Sequence, residues 1–238
     1  KKTMDTKIVG YCHWWEMKSC NGPDNRAGKA KWMWLPIELL GISQMDTCYL
    51  NTQDQKNRVL AEAGETFNKE FVQKLDDILE VWNLGLPEDR IVDTISDTKE
   101  KVIVFNHRAA SYKGYPKFIE LMKEYREQRQ DFVVWVPQLS GKAPYSWIDN
   151  TKVPKHEYYK RLQDCTVGIQ MRQSNYGWSV SGTDCMMNGT PMIWQDSDCY
   201  REIDPDGMFF KYKKELFEYL DNMLDNTIFR KNKESNSI

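Results

Sequence analysis

KVIVFNHRAASYKGYPKFIELMKEYREQRQDFVVWVPQL, residues 101–139, carries the clearest structural signal in the chain. The apolar run KVIVF predicts a strand, and after a polar turn the spacing of apolar residues becomes helical. That spacing places Phe118, Leu121, Met122 and Tyr125 on one helix face. The second apolar run, DFVVWVPQL, shows no polar alternation, which is typical of a strand covered on both faces. A strand, a helix and a strand in this order predict a βαβ unit of a parallel sheet.

The same alternation continues to residue 225. Its further segments are, in order, the helix KHEYYKRLQDC, the strand TVGIQMR, a helix opening in SGTDCMMNG, the strand TPMIWQD, the short strand MFFKY and the helix KKELFEYLDNMLDN. Residues 101–225 therefore predict a complete, doubly wound α/β domain. The polar tail RKNKESNSI predicts a frayed end.

The first part of the chain is less regular. KIVGYCHWW (7–15) predicts a strand that runs into a loop, and the Gly-rich segment 21–31 predicts a mobile loop. WMWLPIELLGISQ has helical spacing that Pro36 should interrupt. Residues 45–64 predict a short strand, a turn and a helix ending at Gly64, and a further helix should lead into a strand EVWNLGL. The polar segment 87–100 predicts a linker.

Composition excludes several classes of protein. The 238 residues include 33 Lys+Arg and 35 Asp+Glu, so neither a nucleic-acid coat nor a polybasic membrane surface is indicated, and any basic site must be local. No segment approaches the roughly 20 apolar residues of a membrane span, and the first residues make a poor signal peptide. The six cysteines form no C-x-x-C pair, and Cys48, Cys165 and Cys185 lie in apolar contexts. We therefore expect buried free thiols and a reducing, cytoplasmic location.

The turn after the strand KVIVF contains His107, Arg108 and Lys113. Open parallel sheets bind ligands at the carboxyl ends of their strands, where this turn should lie. An Arg fork and a Lys ammonium together suit a diphosphate. A solvated turn that happens to contain two cations is the alternative interpretation.

A second candidate segment is SNYGWSVSGTDCMMNGTPMIW, residues 174–194. Small polar residues at the start of a helix leave backbone N–H groups available to an anion. Asp184 falls in the first turn of that helix, where it is either a capping or dipole group or an acceptor of hydrogen bonds from a ribose. His13, in GYCHWWE, is the third candidate, although a single histidine is more often structural than functional.

Other chemistries lack their signatures in the sequence. We find no cluster of carboxylates, histidines or cysteines with the spacing of a metal site, so we expect no metal requirement. No pair of carboxylates indicates a glycoside hydrolase. No G-x-G-x-x-G follows a strand, which disfavours a dehydrogenase.

Taken together, FNHR…YKGYPKFIELM, C-x-VGI and YGWSVSGTDCMMNGTPMI resemble the carboxyl-terminal domain of nucleotide-sugar glycosyltransferases of the GT-B type. The similarity is strongest to the retaining group that includes glycogen and sucrose synthases, and it covers about residues 100–225 and, more loosely, 7–86. It implies an α/β protein with two Rossmann-like, doubly wound domains. We assign residues 1–98 to an incomplete acceptor-side domain, which lacks the usual opening strand and Gly-rich turn, and residues 99–238 to the nucleotide-sugar domain.

The resemblance also implies roles for individual residues. Arg108 and Lys113 would hold the donor's diphosphate and act in catalysis, Asp184 would bind the ribose where a Glu is usual, and His13 would face the transferred sugar. Tyr176 stands where the family usually has a second Glu, which leaves an atypical donor or reduced activity open. The predicted donor-binding segment before Asp184 comprises Tyr176, Gly177, Trp178, Ser179, Val180 and Ser181.

The implied reaction transfers a hexose from a nucleoside-diphosphate sugar to an acceptor hydroxyl, without a metal or cofactor and with retention. UDP-linked donors such as UDP-glucose, or GDP-linked ones, are expected. The acceptor is a saccharide, a lipid or a modified DNA base. One alternative is an enzyme of the kind that some bacteriophages use to glycosylate modified DNA bases in the host cytoplasm. Another is a non-catalytic module that binds a sugar nucleotide, and the oligomeric state stays open.

Overall fold

The computed structural model describes residues 6–12, 31–85, 87–91, 99–172 and 177–235. These residues form two compact units. The first contains the described residues up to Leu84 together with Gly177 and Trp178, and the second contains the others. The assignment of functional domains with a boundary at residues 98 and 99 stays a prediction.

The first unit is built on a small parallel sheet with the strand order β1-β2-β3. Its core is formed by this sheet and by helices α1, α2 and α3, and it includes the fully buried Leu39, Leu50 and Leu75. Thr52 and Asn68 cap α2 and α3 by accepting hydrogen bonds from backbone N–H groups three residues later. The elements are β1 Val9–Cys12, α1 Lys31–Ile42, β2 Thr47–Leu50, α2 Gln53–Gly64, α3 Lys69–Ile78 and β3 Leu79–Val81.

The second unit contains a six-stranded, fully parallel sheet. Its strand order is β6-β5-β4-β7-β8-β9, so the strands proceed outward in one direction from β4 and in the other from β7. The strands are β4 Glu100–Val104, β5 Val133–Trp135, β6 Ile148–Asp149, β7 Cys165–Gln170, β8 Met192–Gln195 and β9 Met208–Phe210. The helices are α4 Tyr115–Gln128, α5 Lys155–Asp164, α6 Val180–Met186, α7 Asp198–Ile203, α8 Lys213–Asp225 and α9 Thr227–Ser235.

Helices cover both faces of this sheet. On one face, Phe118 and Met122 of α4 and Leu220 of α8 pack against strand residues in one apolar cluster. On the other face, Leu162 of α5 and Cys185 of α6 belong to a second cluster with Trp135 and Trp194. The sequence therefore predicted the fold class correctly: Phe118, Leu121, Met122 and Tyr125 are all buried, as their spacing indicated.

Two local predictions in the first unit are corrected. Helix α1 continues through Pro36 rather than being interrupted there. Proline removes one backbone hydrogen bond, but Leu39 and Ile42, buried beyond it, keep the following turn packed. The strand predicted as EVWNLGL begins earlier, at Leu79, and ends at Val81, because its partner β2 ends at Leu50, the residue paired with Val81.

The prediction for the carboxyl-terminal tail is also corrected. Residues 230–235, predicted to fray, belong to helix α9. The Asn226 side chain accepts a hydrogen bond from the backbone N–H of Phe229, and Arg230 pairs with Glu234 one turn later. Neither contact produces an apolar periodicity in the sequence, so this polar helix was predicted to be a frayed end.

The cysteine prediction is confirmed for the described residues: Cys48, Cys165 and Cys185 are buried free thiols. In the part of the chain that the structure describes, no helix is long and apolar enough to cross a bilayer. The predicted loop at 21–31 lies almost entirely outside the described residues.

Candidate functional site

The candidate site lies in the second unit, at the carboxyl ends of β4 and β7. These strands are neighbours, and the strand order reverses between them. In open α/β sheets such a reversal leaves a crevice, because the two chain connections depart to opposite faces. The turn that contains Arg108 and Lys113 follows β4, and the segment that leads into α6 follows β7.

Arg108 and Lys113 occupy the same turn. Arg108 is exposed, whereas Lys113 is half-buried at the end of a 3-10 turn, Ser111–Lys113. Burial and the nearby positive charge of Arg108 together lower the pKa of Lys113 to about 8. The fold therefore holds two cations close enough to repel each other, in a place where an anion would relieve that repulsion.

Gly114 shapes this turn. Its φ of 76° lies in the left-handed region, and it ends the 3-10 turn and begins α4. A Cβ atom at this position would lie 2.5 Å from the Cβ of Met171, directly after β7. The turn after β4 can therefore approach the end of β7 only with glycine here.

A buried polar network connects the two strand ends. The Nε2 atom of His107, after β4, makes a short hydrogen bond with the Oε1 atom of Gln170, the last residue of β7. The same oxygen accepts a hydrogen bond from the Oγ atom of Ser179 at 2.6 Å. Ser179 is the N-cap of α6, where its Oγ accepts from the backbone N–H of Gly182 at 3.1 Å.

The orientation of the Gln170 amide is set by its other contacts. Its Nε2 atom donates to the backbone oxygen of Met171 at 2.9 Å and to the hydroxyl of Tyr200 at 3.0 Å. Its Oε1 atom must then face His107 and Ser179, so His107 carries its proton on Nε2. Burial and the charge of Lys113 lower the pKa of His107 to about 4, which keeps the imidazole neutral.

Helix α6 is anchored at two further points. The Nδ2 atom of Asn106 donates to the backbone oxygen of Ser181 at 2.7 Å and to the hydroxyl of Tyr158 at 2.9 Å. Gly182 lets the helix lie directly against β8, since a Cβ there would be 2.3 Å from the ring of Trp194. With seven residues, α6 is short. The case for an anion site therefore depends on the two cations rather than on a helix dipole.

Asp184 is a buried carboxylate on α6, and it lies beyond the first turn in which it was predicted, because the helix begins at Val180. Its Oδ1 atom has no hydrogen-bond partner among the described residues, and it forms an ion pair with the Nη1 atom of Arg90 at 3.9 Å. Burial raises the pKa of Asp184 to about 6, although Arg90 and Lys155 act in the opposite direction. A buried acceptor left without a donor is costly, so this oxygen is suited to a ligand hydroxyl.

The structure places the other predicted residues as follows. His13 and Tyr176 lie outside the described residues, so their roles stay predictions. Gly177 and Trp178 precede α6, and the indole nitrogen of Trp178 is buried without a hydrogen-bond partner in the described part of the chain. Ser179 is the N-cap, and Val180 and Ser181 form the first turn.

Sequence reasoning missed Arg90, Asn106 and Gln170. Arg90 lies in the segment that was read as a linker, where its backbone oxygen accepts a hydrogen bond from the side chain of Asn188, after α6. Gln170 is the last residue of β7, and Asn106 is the first polar residue after the apolar run of β4. A buried polar residue at that position is a usable signal, because it must find a partner at the sheet edge.

Comparison with solved structures identifies the architecture. The chain superposes on TarM with a TM-score of 0.71 at 10% identity, covering 100% of this chain and 48% of TarM. HepE from Anabaena, in complex with UDP and glucose, gives 0.71 at 10% identity, covering 97% of this chain and 65% of HepE. Sucrose-phosphate synthase from Thermosynechococcus elongatus gives 0.72 at 11% identity, covering 99% of this chain and 63% of the synthase.

The fold is GT-B. At these identities the likeness establishes the fold alone, and this chain spans between about half and two thirds of the length of each of these GT-B structures. No protein-family model and no curated protein sequence matches the chain. Among the described residues, no three histidine, cysteine or acidic side chains are grouped as metal ligands would be.

Proposed function

We propose that this chain binds a nucleoside-diphosphate sugar in its second unit and belongs to a glycosyltransferase that moves the sugar to an acceptor hydroxyl. The observation that carries the proposal is the pair of cations, Arg108 and Lys113, held together after β4 at the reversal point of a GT-B sheet. A diphosphate would accept a forked hydrogen bond from Arg108 and neutralise the ammonium of Lys113.

The same pair would assist the chemical step. When the bond between the sugar's anomeric carbon and the diphosphate oxygen breaks, negative charge develops on that oxygen. Fixed cations beside it stabilise the leaving group without reorganising, which is the most effective form of electrostatic catalysis. In the proposed reaction a hexose is transferred with retention and without a metal, and His13 orients the sugar.

Asp184 would recognise the nucleoside. Its Oδ1 atom, which has no hydrogen-bond partner among the described residues, can accept a hydrogen bond from a ribose hydroxyl. The nearby Arg90 would keep the carboxylate ionised when the ligand excludes water. UDP is the first donor nucleotide to test, since the similar HepE structure contains UDP.

The decisive experiment measures binding of UDP and of pyrophosphate by calorimetry. Arg108→Ala and Lys113→Ala should each weaken both ligands about 10- to 100-fold, because each removes a charge-assisted contact to phosphate. Asp184→Asn should weaken UDP and leave pyrophosphate unchanged. Lys214→Ala removes a lysine whose side chain is 85% exposed on α8, and it should change neither affinity.

Two results would reject this assignment: no UDP binding by the unmodified protein, or equal affinities in all four variants. Transfer assays then separate the alternatives. UDP binding without turnover of any saccharide, lipid or DNA acceptor would indicate a binding module. Salt-sensitive binding of DNA with transfer to a modified base would indicate the DNA-glycosylating type.

A further inference from the structure

The buried network at the strand ends joins two parts of the proposed site that are distant in sequence. His107 precedes the cations of the β4 turn, and Ser179 begins the helix that carries Asp184. Only Gln170 contacts both in the hydrogen bonds described above, through a single oxygen atom. Gln170 therefore links the two sides through side chains, next to the direct hydrogen bond from Asn106 to the backbone oxygen of Ser181.

We propose that Gln170 is a positioning residue that fixes the distance between the β4 turn and α6, so that both halves of one nucleoside diphosphate are bound at once. This inference rests on the proposed function. Gln170 itself touches no ligand, since it is fully buried beneath the site. It acts through His107, which presents the β4 turn, and through Ser179, which presents α6.

The geometry distinguishes this role from ordinary core packing. Gln170 is polar in a strand whose other residues, Cys165 to Ile169, are all buried, and an apolar residue would fill the same volume. The amide is instead engaged on both sides: the nitrogen anchors to Met171 and Tyr200, and the oxygen receives two donors. A fully satisfied buried network of this kind specifies one arrangement of the groups around it.

The test compares the affinity ratio of UDP to pyrophosphate, because only UDP must reach both the turn and the helix. Gln170→Met should weaken UDP about tenfold, the effect of losing one to two buried hydrogen bonds, while pyrophosphate binding stays within about twofold. Gln163→Met is the matched control, since Gln163 is also buried in the second unit and lies on α5, where its Nε2 atom has no partner among the described residues. It should leave the ratio unchanged.

A second pair of variants guards against loss of folding in Gln170→Met. His107→Phe keeps a ring but removes the donor and should reduce the ratio by a similar factor. His107→Gln places an amide N–H at similar reach and should restore it. A pyrophosphate affinity that falls as much as that of UDP, or a ratio that no variant changes, would overturn the role of Gln170.

Imidazole NMR tests the contact without any ligand. The chain has 3 histidines, so the His107 signals can be assigned from the His107→Gln variant. The unmodified protein should show the Nε2–H tautomer at neutral pH, and Gln170→Met should shift its nitrogen resonances. An Nδ1–H tautomer would overturn the inference. If the protein bound no UDP but showed the expected tautomer, the proposed function would fail while the network stood.

Discussion

At the scale of single residues, Lys113 is the most unusual side chain in the described part of the site. An ordinary lysine stays charged up to about pH 10, but burial and Arg108 lower the pKa of this one to about 8. In the free protein it is therefore partly neutral at mildly alkaline pH. An anionic ligand favours the charged form, so binding and protonation are coupled.

UDP affinity should consequently fall as the pH rises above about 8. Below that pH Lys113 is already charged, and binding takes up no proton there. Above pH 8, Lys113 must take up one proton for each UDP that binds, so the affinity should fall up to about tenfold per pH unit. Calorimetry at pH 7 and pH 9, in buffers of different ionisation enthalpy, measures the UDP affinity and the number of protons taken up on binding.

Lys113→Arg provides the control for that measurement, because arginine stays charged across this range. Its UDP affinity should be nearly independent of pH between 7 and 9, apart from titration of UDP itself, which both proteins share. Equal pH dependence in the two proteins would show that Lys113 does not titrate on binding.

At the scale of elements, the join between the β4 turn and α4 depends on Gly114. An alanine there would adopt an unfavourable left-handed conformation, costing about 1–2 kcal/mol, and would also collide with Met171 after β7, costing about 1–3 kcal/mol more. Gly114→Ala should therefore lower the free energy of unfolding by more than conformation alone explains. Urea denaturation measures this difference.

Gly141→Ala is the matched control. Gly141 has nearly the same φ, 77°, but nothing lies within 4 Å of the Cβ it would acquire. Gly141→Ala should therefore lower the free energy of unfolding only by the cost of the left-handed conformation. If both alanine variants lost equal stability, the close approach between the β4 turn and the end of β7 would be wrong.

The elements also show how far sequence reasoning extends. The strands and helices from residue 101 to residue 225 were largely predictable, because apolar runs and helical spacing reflect burial directly. Strand β6 and helix α7 were missed, since Ile148–Asp149 is only two residues long and Asp198–Ile203 is capped by Ser197 rather than marked by periodicity. Arg108, Lys113 and Asp184 stood out as charged residues beside predicted elements. Gln170 did not, because its contact with His107 spans 63 residues.

At the scale of the whole molecule, two buried groups make opposite contributions to acid stability. His107 is held neutral, so its contribution is fully present above pH 6.5 and is lost as the pH falls towards 4. The raised pKa of Asp184 means that its contribution is present below pH 3.8 and is lost as the pH rises towards 6. Each shift corresponds to about 3 kcal/mol, so the two nearly cancel between pH 4 and 6.

Removing one of the two groups should reveal the pH dependence of stability that the other one contributes. The stability of Asp184→Asn should rise relative to the unmodified protein from pH 4 to 6, and that of His107→Phe should fall over the same range. Urea denaturation at three or four pH values gives the slopes, and the difference from the unmodified protein removes the effect of all other titrating groups. Parallel curves for the three proteins would contradict the pKa directions of both residues.

The reversal of strand order between β4 and β7 has a consequence for protein engineering. Both segments that form the candidate site leave the sheet after its last ladder hydrogen bond, at the ends of two central strands. Exposed positions in these loops can be changed without altering strand pairing, whereas His107, Gly114 and Ser179 in the same loops must be kept, because they pack or hydrogen-bond beneath the site. New donor selectivity is therefore best sought by grafting the exposed parts of these loops while the buried residues and the sheet stay unchanged.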